Sequence, residues 1–154
     1  MKKTILLILA LIMSACSTSD SPDQDQIIGV WKPIRDVEVY TNGTEKIDLP
    51  SVCELKNRFT FNEDGTFYQT DFPESDDSNC EENVGNLYLS GEWMKMSVSK
   101  YKFEYTCMMP DCESITEIPD KITFPNSNMM RVRFDGRVLG DDVDYYYSEL
   151  SRVE

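Results

Sequence analysis

Cysteine and carboxylate side chains are the residues of this 154-residue chain whose types and spacing could do chemistry. The chain has five cysteines, 28 aspartates and glutamates, and no histidine. Without an imidazole, serine–histidine and cysteine–histidine nucleophiles, histidine-ligated zinc and histidine acid/base catalysis are excluded. What remains is cross-linking or modification of cysteine, and binding of hard cations by carboxylates.

The first cysteine, Cys16, follows a leader typical of secreted proteins. Two lysines precede an apolar run at residues 5–13, which is too short for a membrane span of roughly 20 residues. Residues 13–16, Met-Ser-Ala-Cys, resemble a bacterial lipobox, in which the cysteine is lipidated and becomes the first mature residue. We therefore expect residues 1–15 to be a lipoprotein signal peptide. An ordinary signal peptide is the alternative.

The segment after this cysteine is polar and acidic. Residues 16–26 contain too little apolar surface to fold, so we expect them to form a flexible tether that carries the lipid anchor. Ser17 stands where aspartate would resemble an inner-membrane retention signal. We therefore expect a protein of the bacterial cell envelope, attached to the outer membrane.

The other four cysteines, Cys53, Cys80, Cys107 and Cys112, are an even number in an exported chain and allow three pairings. A Cys53–Cys80 bond would join the entry of a hairpin to its exit, and a Cys107–Cys112 bond would close a tight loop. The loop-entropy relation gives about 3.5 kcal/mol for the first bond and about 2 kcal/mol for the second. We predict these two structural disulfides. A zinc or redox site is disfavoured because no Cys-x-x-Cys spacing is present and the neighbouring residues are acidic.

Acidic residues cluster in two further stretches that could hold a hard cation such as Ca²⁺. No EF-hand spacing is present, so we expect solvated loop charge, with a metal site as the alternative, and no cofactor. The clustered residues are Glu74, Asp76, Asp77, Glu81, Glu82, Asp141, Asp142 and Asp144.

Short apolar or alternating runs separated by turn residues make up the rest of the chain, a pattern typical of all-β domains. Asn42-Gly43 and residues 62–65 predict hairpins, and residues 51–54 have the form of a capping box that opens one helical turn. We predict a single domain at residues 27–154 with about eight antiparallel strands. A closed barrel would hide the sheet edges, and a sandwich is the competing arrangement.

Gly29-Val30-Trp31 at the start of the first strand resembles the Gly-x-Trp opening of the lipocalin superfamily. Together with the lipobox, the cysteine-flanked hairpin and Gly91-Glu92-Trp93, it resembles the lipocalin-like lipoproteins common in Bacteroidetes. The resemblance implies a closed antiparallel β-barrel whose floor holds Trp31 beneath the side chain of Arg152. Arg131 and Arg133 are rivals for that position.

The same resemblance implies a non-catalytic protein that binds a small hydrophobic molecule in the barrel calyx. The candidate lining residues are Trp93, Met94, Met96, Phe103, Tyr105, Met130, Val132 and Tyr145. The alternative is a filled barrel that acts as a protein-interaction or structural module of the envelope, with Tyr146, Met108 and Met109 exposed for docking. Nucleic acid is disfavoured as a partner, and we expect none, because the net charge is −13 and the basic residues are scattered.

Overall fold

The computed structural model describes residues 24–75, 79–140 and 142–153. The predicted signal peptide, Cys16 and most of the predicted tether lie outside the described residues, as do Asp76, Asp77 and Asp141. No helix in these three described ranges is long and apolar enough to cross a membrane.

The described chain is built from antiparallel β-strands. They are β1 (Gly29–Tyr40), β2 (Glu45–Asp48), β3 (Phe59–Phe61), β4 (Thr66–Gln69), β5 (Ser90–Ser97), β6 (Lys100–Thr106), β7 (Ile115–Glu117), β8 (Lys121–Asn126), β9 (Met129–Asp135) and β10 (Val143–Arg152). Two single-turn 3-10 helices, Glu54–Lys56 and Gly136–Val138, interrupt them.

The strands form one curled sheet with the shape of a half-barrel. Its order is β7-β6-β5-β4-β3-β1-β10-β9-β8, and β2 pairs with the second half of β1. The prediction of an all-β antiparallel domain is therefore confirmed in this coarser form. The two ends of the sheet approach each other where the Ile122 amide donates to the Ser99 carbonyl at 2.8 Å.

The predicted number of about eight strands is too low for the described residues, which form ten. Strand β2 was missed because all four of its residues are exposed, so it carries no apolar alternation. The sequence pattern of residues 113–124 predicts one continuous strand, but the structure divides it into β7 and β8 around Pro119, which has no amide hydrogen to donate to a sheet.

Both predicted hairpins are present. Gly43 N–H donates to the Tyr40 carbonyl at 2.8 Å in the turn between β1 and β2. Asn62 N–H donates to the Thr66 carbonyl at 2.9 Å between β3 and β4. These turns set the register that places alternate residues of each strand on the concave face.

The main core lies on the concave face of the sheet. Its buried residues are Ile27, Trp31, Phe61, Phe67, Tyr101, Phe103, Ile122, Met130 and Leu150. A second, smaller cluster of Val37, Val39 and Tyr147 lies apart from it, with Tyr145 packed alongside. Aromatic residues therefore fill the concave side from the start of β1 towards the middle of β6 and β9.

Two disulfides cross-link the loops. Cys53 is joined to Cys80 and Cys107 to Cys112, the two pairs that the sequence predicts. Cys53 is 1% exposed, so the first bond lies within the packed domain.

Candidate ligand-binding site

A cavity of about 250 Å³ opens at one end of the half-barrel. Its apolar wall comes from six strands, β1, β3, β4, β6, β9 and β10, each contributing residues of the concave face. These residues are Pro33, Phe59, Phe61, Phe67, Phe103, Tyr105, Met130, Val132, Phe134 and Leu150. We call this cavity the calyx. Its volume is just below the roughly 300 Å³ at which ligand pockets usually begin, so any ligand must be small.

The aromatic side of the calyx is tightly packed. Phe67 meets Tyr105 edge to face with ring centroids 5.0 Å apart, and Phe61 lies 5.8 Å from Phe103. Gly91 lies between Phe67 and Tyr105 in the sheet register, and a β-carbon there would clash with the Glu104 carbonyl and the Phe67 ring. The glycine therefore lets these two rings close this side of the calyx.

The mouth of the calyx is acidic. Asp36, Glu54 and Glu117 line it, and no lysine or arginine appears among the lining residues in the described ranges. The Tyr105 hydroxyl donates to Glu117 Oε2 at 3.1 Å. Burial raises the pKa of Tyr105, and the negative charge of Glu117 adds to that rise. The mouth therefore suits a neutral or positively charged head group better than an anion.

One edge of the mouth is held in place by a short, cross-linked segment. The predicted capping box is present: Ser51 N–H donates to Glu54 Oε2 at 2.8 Å, and Glu54 N–H donates to Ser51 Oγ at 3.2 Å. The helical turn that follows contributes Glu54 to the mouth, and its neighbour Cys53 carries the first disulfide. Two side-chain hydrogen bonds and one disulfide thus hold this segment in place.

The floor of the half-barrel holds Trp31 at the end opposite the mouth. The guanidinium carbon of Arg152 lies 4.3 Å from the Trp31 ring centre, and the indole donates to the Ile27 carbonyl at 2.7 Å. Gly29 has a φ of +131°, and a β-carbon there would collide with the Arg152 guanidinium. The Gly-x-Trp sequence thus leaves room for the arginine beside Trp31. Arg131 and Arg133 lie over Tyr147 and Tyr145 instead.

Four of the eight candidate lining residues are brought together in the calyx: Phe103, Tyr105, Met130 and Val132. Trp93 packs against the core beside the floor and does not line the cavity. The prediction was wrong for Met94 and Met96, which are 61% and 57% exposed. Successive residues of a strand point to opposite faces, so Met94 and Met96 cannot share the face of Trp93.

Tyr145 was also assigned wrongly. Leu150 of β10 points into the core, so residues of even number in this strand face the concave side. Tyr145 and Tyr147 consequently face the other side of the sheet, whereas Tyr146 is half-buried and stacks on Phe134 at 5.0 Å. Tyr146 is therefore not the exposed docking residue that the sequence suggested. Met108 and Met109 are 61% and 52% exposed.

Several lining residues were not anticipated as such. Phe59, Phe61 and Phe67 flank the hairpin predicted at residues 62–65, and their alternation could have placed them beside Phe103. The mouth residues Asp36, Glu54 and Glu117 come from three separate elements, and no local pattern links them. Within the described ranges, no group of three or more aspartate, glutamate or cysteine residues is arranged to hold a metal ion.

Two half-exposed arginines surround a buried glutamate on the other face of the sheet. Glu149 is 3% exposed and accepts hydrogen bonds from Arg35 Nε at 2.7 Å and Arg131 Nε at 3.1 Å. The hydrogen bond from Arg35 lowers the pKa of Glu149, burial opposes that effect, and Arg131 lowers it further.

Replacing Glu149 with glutamine should lower the free energy of unfolding by about 2 kcal/mol at neutral pH, because both arginines lose a charged acceptor. A carboxylate whose folded-state pKa is depressed contributes stability above its unfolded value of 4.5 and loses it as the pH falls through the folded-state pKa. The difference between the parent and Glu149→Gln should therefore shrink below that pH. Urea unfolding at several pH values measures it. A constant difference down to about pH 3 would contradict this expectation.

No family model matches this sequence, and no curated protein matches it.

Proposed function

We propose that this chain is a non-catalytic binding protein whose calyx takes a small apolar molecule with a neutral or cationic head. The observation that carries the proposal is the aromatic cavity of about 250 Å³, which is open at the acidic end of the half-barrel. An apolar cavity of about 150 Å³ holds a benzene ring, so this calyx has room for a ring with a short side chain.

Closure of the half-barrel into a lipocalin-like barrel is part of the same proposal. Its support is the contact between the two ends of the sheet, where Ile122 N–H donates to Ser99 and Lys100 Nζ donates to the Pro119 carbonyl at 3.4 Å. Attachment to the outer membrane through an acylated Cys16 rests on the lipobox-like residues 13–16. Acyl chains contribute about 0.8 kcal/mol per buried CH₂, so two or three of them would hold the domain at the membrane.

The proposal is tested with three probes of nearly equal size: 2-phenylethylamine, 2-phenylethanol and phenylacetate. The amine and the alcohol should bind with dissociation constants of about 10–100 μM, a range set by the usual free energy per ligand atom. The carboxylate should bind at least about tenfold more weakly, because it would meet Asp36, Glu54 and Glu117 at the mouth. Isothermal titration calorimetry gives all three constants. Equal binding of the carboxylate would refute the assignment of the head group.

Val132→Trp should abolish binding of the amine, because Val132 lines the calyx and the larger side chain occupies its space. Met94→Trp is the matched control, since Met94 is 61% exposed and does not line the calyx. Ser148→Leu, at the cavity wall, is a second variant in case the tryptophan disturbs folding. If folded Val132→Trp and Ser148→Leu proteins both bind like the parent, the calyx is not the binding site.

A further inference from the structure

A second cleft lies outside the calyx, on the face of the sheet that carries Tyr145 and Tyr147. It has a volume of about 320 Å³ and is lined by three cations, two tyrosines, Thr123 and one carboxylate, Glu45. The cations are Lys121, Arg131 and Arg133. We call this the outer cleft. The chain has a net charge of −13, so a cavity lined by three cations is a locally positive site on an acidic protein.

The strand register places like charges side by side in the outer cleft. Lys121 of β8 is directly opposite Arg133 of β9, and Arg133 is opposite Tyr147 of β10. Like charges that face each other across two strands destabilise a sheet, unless an anion lies between them. The pair is therefore unfavourable as it stands, and a bound anion would relieve it.

One donor of the Arg133 guanidinium also lacks a hydrogen-bond acceptor. Its Nε is buried and has no hydrogen-bond partner in the described part of the chain. The nearby carboxylate of Asp135 accepts from Arg137 instead. A buried charged donor without an acceptor is rare in proteins, and an anion close to the same guanidinium would offset its uncompensated charge.

The two arginines are held in position by the aromatic wall of the outer cleft. The guanidinium carbon of Arg133 lies 3.9 Å from the Tyr145 ring centre, and that of Arg131 lies 4.4 Å from the Tyr147 ring centre. The two tyrosine rings stack with centroids 6.3 Å apart, and Arg131 Nε donates a hydrogen bond to Glu149. Arginines fixed in this way lose little freedom when their N–H groups bind an oxyanion.

We propose that the outer cleft binds a phosphate group, in a site separate from the calyx. Lys121, Arg131, Arg133 and nearby Arg35 carry four positive charges against the two negative charges of Glu45 and Glu149. The surplus of two matches the two negative charges of a phosphate monoester, and the N–H groups of Arg133 match its oxygens. A free phosphate and the phosphate of a sugar or lipid head group share this chemistry.

The proposal is tested by titrating the full-length chain with sodium phosphate, glycerol 1-phosphate and sodium chloride at constant ionic strength. Amide chemical shifts of β8, β9 and β10 are followed by NMR. We expect both phosphates to shift these amides saturably and chloride to leave them unchanged. Tighter binding of glycerol 1-phosphate assigns the site to an esterified phosphate, and tighter binding of inorganic phosphate assigns it to the free ion. Chloride shifts equal to the phosphate shifts would overturn the proposal.

The matched variants are Arg133→Met and Arg137→Met. Arg133→Met keeps an apolar stem against Tyr145 and should weaken phosphate binding about tenfold or more. Arg137 lies outside the outer cleft, so Arg137→Met should leave binding unchanged. Lys121→Met should also weaken phosphate binding. Lys121 is exposed, so this substitution should not disturb the folded core. Equal phosphate affinity in the parent, Arg133→Met and Lys121→Met would overturn the proposal.

Discussion

Replacing Arg152 with alanine should lower the free energy of unfolding by about 3 kcal/mol. The side chain covers the Trp31 ring and donates hydrogen bonds to three backbone carbonyls, those of Ser127 at 2.9 Å, Ile28 at 2.6 Å and Gln26 at 2.7 Å. Alanine would expose one face of the indole and remove the hydrogen bonds that these three carbonyls accept. Urea unfolding followed by tryptophan fluorescence measures the stability, and the same measurement in a Trp93→Phe background, where Trp31 is the one remaining tryptophan, reports the environment of Trp31.

Two further variants separate this role from a general effect of charge. Arg152→Lys keeps the charge but cannot cover the ring and reach the three carbonyls together, so its loss should be intermediate. Arg137→Ala removes an arginine whose side chain is 81% exposed and bonded only to nearby Asp135, and it should cost less than about 0.5 kcal/mol. If Arg152→Ala were no less stable than Arg137→Ala, Arg152 would have no role in the floor.

Replacing both Cys53 and Cys80 with serine should lower stability by about 3.5 kcal/mol, because the bond closes a long loop of the unfolded chain. For a domain of this size the midpoint of thermal unfolding should fall by about 10 °C. The loss should extend to the calyx, since Glu54 next to Cys53 lines the mouth. Binding of 2-phenylethylamine should weaken in the variant at a temperature where it is still folded.

The Cys107→Ser/Cys112→Ser variant is the matched comparison. Its sequence separation is 5 against 27 for the first pair, so the unfolded chain gains less freedom. The expected loss is about 2 kcal/mol, with no change in binding because neither cysteine lines the calyx. Equal losses of stability and binding in the two variants would argue against the placement of Cys53 at the mouth.

The alternation of apolar and polar residues along single strands predicted much of the calyx. Side chains two residues apart in a strand share one face, and this rule needs no knowledge of the other strands. Phe103 and Tyr105 of β6, and Met130 and Val132 of β9, were placed together correctly. The same reasoning failed for Tyr145, because alternation separates two faces without saying which one is concave. Only the position of Leu150 in the core, seen in the structure, makes that choice for β10.

Features that depend on several strands at once could not be predicted. The register of β1 shifts between Pro33 and Arg35, so Trp31 and Asp36 reach the same side of the sheet despite their odd and even numbers. Pro33, which has no amide hydrogen to donate, marks an irregularity in this strand, but the sequence does not show how the register shifts. The outer cleft likewise exists only because β8, β9 and β10 align Lys121, Arg133 and Tyr147 in one row.

The described chain begins at the floor of the half-barrel, and under the proposed anchoring at Cys16 this position would set the direction from which a ligand arrives. Gln24 donates to Glu63 in the hairpin turn at the floor end, while Asp36 at the mouth is five strand residues beyond Trp31, about 16 Å away. With Cys16 acylated, the eight residues up to Gln24 reach at most about 29 Å. The floor would then face the bilayer and the mouth the aqueous phase. A molecule that partitions strongly into lipid would remain in the bilayer, on the floor side of the domain. The calyx would therefore bind solutes that diffuse through the aqueous phase.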